Sequence, residues 1–168
     1  IDSCAYWRYE AQTDSLRPRV YLGLNDKFME EISELDKGSF THELLENKKG
    51  SYLIDDIWSN DRLKHIVTLN HYYRGSFTSL LITPLFVGDE KIGALHFYGK
   101  QSSNMENVKR LIGLINGQLA LLIHSSRNSR PLVRHAIQEY GKYFEQNHFV
   151  KRRETVTVQL RLVRSVAE

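Results

Sequence analysis

The chain has a single cysteine, Cys4, so it cannot close a disulfide within itself. A reducing, cytoplasmic setting suits it better than secretion. Its first residues, Ile1-Asp2-Ser3-Cys4, show no basic stretch leading into an apolar one, so they do not read as a signal peptide. Apolar runs are strand-length or interrupted by polar residues, and none approaches the roughly 20 apolar residues of a membrane-spanning helix. No membrane partner is expected. Internal repeats and low-complexity segments are lacking too. Among the seven histidines, His42, His65, His71, His96, His124, His135 and His148, no pair has the close spacing of a metal site, and no metal is expected. The paired carboxylates Asp55 and Asp56 come without a nucleophile or a glycine-rich phosphate loop.

What remains is an ordinary globular composition: 168 residues, 41% hydrophobic and 26% charged. That suits one domain, residues 1–126, plus an appendage, residues 127–168. The net charge of +3 is unevenly spread, acidic between Asn25 and Asp61 and basic from Arg127 onward. The late basic residues are scattered rather than clustered, so a solvated linker fits better than a nucleic-acid interface, and no nucleic-acid partner is expected.

Periodicity orders the elements. Cys4 to Glu10 and Arg19 to Leu24 read as strands around a turn at Thr13-Asp14-Ser15. Phe28, Met29, Ile32 and Leu35 predict a helix over 26–35, capped by Asn25 or Asp26. A short helix follows over 41–47, with Ser39 or Thr41 as its cap, then a strand over 51–54 and a helix over 61–70. The strongest signal is a hairpin from Leu80 to Tyr98, two apolar runs about the turn Gly88-Asp89-Glu90-Lys91. Pro84 lacks a ladder donor and marks an edge or a bulge. Asn104 to His124 then reads as a long helix. Val108, Ile112, Ile115, Leu119 and Leu122 form one stripe; Leu111, Leu114 and Leu121 form another. One stripe can cover the sheet and the other meet a partner, with Gly113 and Gly117 allowing close approach. The dimer interface is assigned to the first stripe. After Pro131, a helix over 132–149 and a strand over 154–163 are predicted.

These elements carry word-like stretches: Gly38-Ser39-Phe40-Thr41 through Leu53-Ile54-Asp55-Asp56-Ile57 to Asn60-Asp61-Arg62; Ser79-Leu80-Leu81-Ile82-Thr83-Pro84-Leu85; and Lys91-Ile92-Gly93-Ala94-Leu95. Together, over roughly residues 4 to 126, they resemble a GAF domain, a relative of the PAS sensory domains. The resemblance implies an α+β fold, a twisted antiparallel sheet usually of six strands with helices on both sides. It implies a small-molecule pocket on one face and dimer-forming helices on the other. It also implies a first helix that precedes residue 1 in a longer protein. The tail Lys151-Arg152-Arg153-Glu154-Thr155-Val156 faintly resembles the entry strand of a nucleotide cyclase domain, without the metal-binding aspartate that should follow.

The residues set against a ligand are Phe40, Thr41, Ile54, Asp55, Tyr72, Tyr73, Phe77, Ser79 and His96. Tyrosines offer flat apolar area with a hydroxyl, which suits a purine, a pyrrole or an aromatic acid. His96 sits mid-strand, where its ring must find a partner. It either faces the pocket, bonding a ligand or a haem iron, or is a satisfied core histidine. Cys4 opens a strand with no basic neighbour before Arg8, so it reads as structural. The expected protein is therefore a non-catalytic sensory module and homodimer that binds an unidentified small molecule and relays a signal to an output domain. No cofactor is specified. The alternatives are a sulfoxide reductase of the same fold, disfavoured by the single cysteine, and a pure dimerisation scaffold.

Overall fold

A computed structural model describes residues 3–63, 77–100 and 102–126. Five strands, β1 (Ser3–Glu10), β2 (Ser15–Leu22), β3 (Tyr52–Ile54), β4 (Ser79–Val87) and β5 (Glu90–Gly99), form one sheet in the order β2-β1-β5-β4-β3. Every pairing is antiparallel. The hairpin read from sequence is the β4–β5 pair. It turns tightly on Gly88 and Asp89, with Val87 opposite Glu90 and Gly88 at φ 58°, a backbone that glycine adopts without steric cost.

Two residues shape the sheet's centre. Pro84 lies past the end of β3, whose pairing stops at Tyr52–Ile82, and just before a register shift between Leu85 and Phe86. Its missing N–H therefore leaves no gap in the β3 ladder. Gly93 has φ 151°, and a Cβ there would stand 2.0 Å from the Trp7 carbonyl oxygen. Only glycine lets β5 come that close to β1.

Strand alternation gives the sheet two different faces. Cys4, Tyr6, Leu81, Leu85, Leu95 and Phe97 point to one side and Ala5, Trp7, Leu80, Ile82, Ala94 and Tyr98 to the other. The first face is covered by the long helix α3 (Ser102–Ser126) through Met105, Ile112, Ile115, Ala120 and Ile123. Two members of the expected interface stripe are thereby taken up by the chain's own core. Ile112 and Ile115 are buried within the single chain, and Val108, Leu119 and Leu122 are half-buried. A side chain already covered by its own sheet adds no area to a dimer. The exposed large apolar residues of α3 are Leu114 and Leu121, 71% and 55% exposed. Gly113 and Gly117 are exposed on the same helix, with open space where a Cβ would stand.

The second face is covered by α1 (Asp26–Glu31) and α2 (Phe40–Glu46). The Asn25 side chain caps α1, accepting from the Lys27 N–H at 2.8 Å. That helix stops at Glu31, short of the predicted Leu35, because Leu35 exchanges both backbone hydrogen bonds with Leu16 at 2.8 Å. A residue so paired is extended, although Ile32 and Leu35 still reach the core. Ser39, the first of the two candidate caps, opens α2, its Oγ accepting from the His42 N–H at 3.3 Å. Thr41 lies inside the helix and is free for another role. Of the helix predicted over 61–70, Asp61–Leu63 is a 3₁₀ turn; the remainder, like the predicted helix and strand beyond residue 131, lies outside the described residues. No described helix is long and apolar enough to cross a membrane.

Candidate functional site

The α1/α2 side of the sheet gathers the polar chemistry. Because Ser39 fixes the start of α2, Thr41 and His42 leave the helix in adjacent directions, one inward and one toward the rim. Thr41 Oγ1 lies 3.0 Å from His96 Nε2, and His96 Nδ1 lies 3.3 Å from the Tyr98 hydroxyl. All of Thr41, His96 and Tyr98 are buried. His96 thus faces the side away from α3, and both ring nitrogens are engaged. A neutral imidazole offers one donor and one acceptor, and each neighbouring hydroxyl can serve as either, so the line is satisfiable in both tautomers. Neither nitrogen is left open to an iron in this arrangement. Burial pushes the Tyr98 hydroxyl well above its ordinary range, and a thiolate charge at Cys4 would push it the same way, so Tyr98 stays protonated. The Trp7 ring stands 5.4 Å from that of His96, centroid to centroid. Its indole Nε1 is buried and finds no hydrogen-bond partner among the described residues.

At the rim, His42 Nε2 meets Asp14 Oδ1 at 2.9 Å and Glu46 Oε1 at 3.7 Å. Asp14 sits in the β1–β2 turn at φ 49°. It also accepts from the Tyr9 hydroxyl at 2.6 Å and pairs with Lys37 at 2.7 Å. The hydrogen bond from Lys37, then those from Tyr9 and His42, hold its carboxyl well below the usual carboxylate range. Lys91 closes the group, bonded to Glu46 and 4.9 Å from the Tyr9 ring centroid. One ligand atom each from Asp14, His42 and Glu46 lies within 4.8 Å of the others, the spread of a metal site. Two ammonium groups already balance the two carboxylates, however, and a cation would have to displace them. The cluster acts as a charge-balanced clasp joining β1, α2 and β5.

The other expected ligand residues divide. Phe40 and Ile54 are buried on this side of the sheet. Phe40 meets Tyr52 edge-on at 5.0 Å, with the Arg62 guanidinium 4.9 Å over its ring. Phe77 is held inside an aromatic cluster, stacked on Trp58 at 5.4 Å and edge-on to Phe28 at 5.4 Å. Trp58 Nε1 donates to the Phe77 carbonyl at 2.7 Å. Asp55 is exposed, whereas Asp56 accepts from the Trp58 N–H at 3.0 Å and the Ser59 hydroxyl at 2.8 Å, a local cap. Ser79 requires correction. It lies on the α3 side with Leu81 and donates to the Gly99 carbonyl at 2.9 Å; a Cβ on Gly99 would meet both Met105 Sδ and Ser79 Oγ. One residue of strand phase decides the face. Tyr72 and Tyr73 lie outside the described residues.

Trp7, Asp14, His42 and Tyr98 were absent from the expected set. Tyr98 was within reach, since it follows His96 by two and so shares its face. His42 precedes Glu46 by four on a helix, a pairing visible in the sequence. Trp7 and Asp14 depend on the β1–β5 and turn–α2 contacts, which no local pattern reveals.

An antiparallel sheet clad by a long helix on one face and short helices on the other is shared with known structures. No protein-family model matches the sequence, and no curated protein sequence does. Solved structures do. One is the GAF domain/HD domain protein from Geobacter sulfurreducens, at 17% identity and TM-score 0.57, covering 76% of this chain and 83% of that one. Another is a type II free methionine-R-sulfoxide reductase from Thermoplasma acidophilum, at 16% identity and TM-score 0.56, covering 74% and 79%. A third is a domain assigned to a two-component sensor histidine kinase from Sinorhizobium meliloti 1021, at 16% identity and TM-score 0.52, covering 76% and 81%. The chain therefore has the GAF-domain fold. At such identities the likeness speaks for the fold, which here includes both sensory domains and an enzyme.

Proposed function

We propose that this chain is a non-catalytic sensory or regulatory domain that binds a small molecule on the α1/α2 side of its sheet and passes the event to α3. The observation that carries this reading is the composition of β5. His96 and Tyr98 project toward α2, while the alternating Leu95 and Phe97 project into the α3 core. A ligand that repositions His96 acts on the strand against which α3 packs. It shifts the equilibrium only by its differential affinity for the two packings.

The reductase alternative has little to work with in Cys4. The thiol is buried on the α3 face, away from His96, and burial pushes its pKa up to about 12. It is also the only cysteine, and thiolate chemistry needs an exposed, acidified sulfur. Homodimerisation belongs to the same proposal, through Leu114 and Leu121 rather than Ile112 and Ile115. These outward leucines, with Gly113 and Gly117, leave an apolar strip on α3 that a second copy of the helix could cover. An output domain in a longer protein completes the reading.

The test is a thermal-shift screen of the purified chain against a metabolite library, with hits confirmed by isothermal titration. A hit whose binding is weakened by Thr41→Val supports the assignment. A library without a hit, or hits indifferent to Thr41→Val and His96→Leu alike, removes it.

A further inference from the structure

We infer that the Trp7 indole N–H is the recognition donor of this site, and that the ligand is a small planar molecule presenting a hydrogen-bond acceptor, a ring nitrogen or carbonyl oxygen, to it. This rests on the reading of the α1/α2 side as the ligand face and adds what that face would select.

The inference starts from hydrogen-bond accounting. Most buried donors are paired, and an unpaired one costs free energy. The neighbouring buried polar groups on this face are paired. Thr41 meets His96, His96 meets Tyr98, and the Trp58 indole, the chain's other tryptophan, donates to the Phe77 carbonyl. Trp7 alone of the two indoles has no partner among the described residues, although it is only 1% exposed. Its backbone lies between two strands. Its strand pairs with Ala94 of β5 on one side and Pro18 of β2 on the other, and the Gly93 close approach fixes its backbone. An indole N–H donates and cannot accept. The complementary atom must therefore be an acceptor, whereas the Thr41–His96–Tyr98 line can adjust to either role. The surroundings are aromatic: His96 beside Trp7, then Tyr98, with Phe77 and Phe28 against it. Flat rings bind such walls well, and a few placed polar groups set their orientation.

The test compares two isosteric probes that differ only in the acceptor. Pyridine and benzene are titrated separately into the uniformly ¹⁵N-labelled full chain at neutral pH. The two tryptophan indole N–H signals are followed and assigned by Trp7→Phe and, independently, by Trp58→Phe, each of which keeps an aromatic side chain but removes the donor together with the pyrrole ring. The expected result has three parts. In the free protein the Trp7 indole proton resonates without the downfield displacement of a hydrogen-bonded N–H. Pyridine moves it downfield and leaves the Trp58 signal in place. Pyridine binds about 2- to 10-fold more tightly than benzene, the worth of one neutral hydrogen bond, and Trp7→Phe abolishes that advantage. Equal binding of both probes with an unmoved Trp7 signal overturns the inference while leaving a ligand site on this face. So does binding of neither probe when the metabolite screen still yields a Thr41-dependent hit. A Trp7 proton already displaced downfield in the free protein overturns it as well, since the donor is then satisfied within the fold. Should Trp7→Phe not fold, Trp58→Phe assigns the signals by elimination, and the wild-type shifts with the two affinities decide.

Discussion

The two faces of one sheet are built on opposite terms. Under α3 the contacts are chiefly aliphatic: Leu81, Leu85, Ile92 and Leu95 against Ile112, Ile115 and Ile123, with Cys4 buried as a small apolar residue. Toward α2 the core is aromatic and interleaved with polar groups, Thr41, His96 and Tyr98 inside and Asp14, His42 and Lys91 at the rim. An aliphatic face can hold a helix by packing alone and tolerates no vacancy. The polar face pairs Thr41, His96 and Tyr98 with one another and leaves the Trp7 indole N–H without a partner among the described residues, which makes it costlier to build. On the function proposed above, the α3 side supplies stability and the α2 side selectivity.

Substitutions can break or sharpen that contrast. Ile112→Ala removes a fully buried side chain from the α3 face and should cost about 2–5 kcal/mol in urea unfolding, with ligand selectivity unchanged in whatever remains folded. Thr41→Val, nearly isosteric, leaves His96 Nε2 without its hydroxyl and should cost about 1–3 kcal/mol; unlike Ile112→Ala, it should also weaken binding. Ser39→Ala, which uncaps α2, should cost about 1 kcal/mol in the same assay. Acid distinguishes the rim. The folded-state pKa of Asp14 is depressed, so its contribution is fully present above the unfolded value of about 3.9 and is lost as pH falls toward the folded one. The stability gap between wild type and Asp14→Asn should stay level from neutral pH to about 5 and shrink below about 4. Finally, Leu114→Gln and Leu121→Gln should change monomer stability by no more than about 0.5 kcal/mol yet reduce the native mass if a dimer forms on α3. A large loss of stability from either would place those leucines in the fold's own core.

The sequence carried the sheet well because strands and hairpins are local. The β4–β5 hairpin, the Ser39 cap and the long final helix follow from apolar period, turn glycine and capping hydroxyl. It carried the faces less well, since those depend on phase. Ser79 lies on the opposite face from Ile54 and Phe40, and both apolar stripes of α3 contribute to its packing, Ile112 and Ile115 from one and Leu111 from the other. A helix bearing apolar residues around most of its surface gives little warning of which stripe its own sheet will take. The site on the α1/α2 side was within reach of local patterns at Phe40, Thr41, Ile54, Phe77 and His96. Trp7 and Asp14 join it through strand order and a turn, and that information lies in pairing across the chain rather than within any window of it.

Native mass spectrometry of the purified chain equilibrated with a metabolite pool, run in parallel on wild type, His96→Leu and Leu114→Gln, tests the division of labour most directly. The expected result is a small-molecule adduct on wild type and on Leu114→Gln that is lost from folded His96→Leu. An adduct that survives His96→Leu, or none on wild type, would contradict the assignment of recognition to the α2 face.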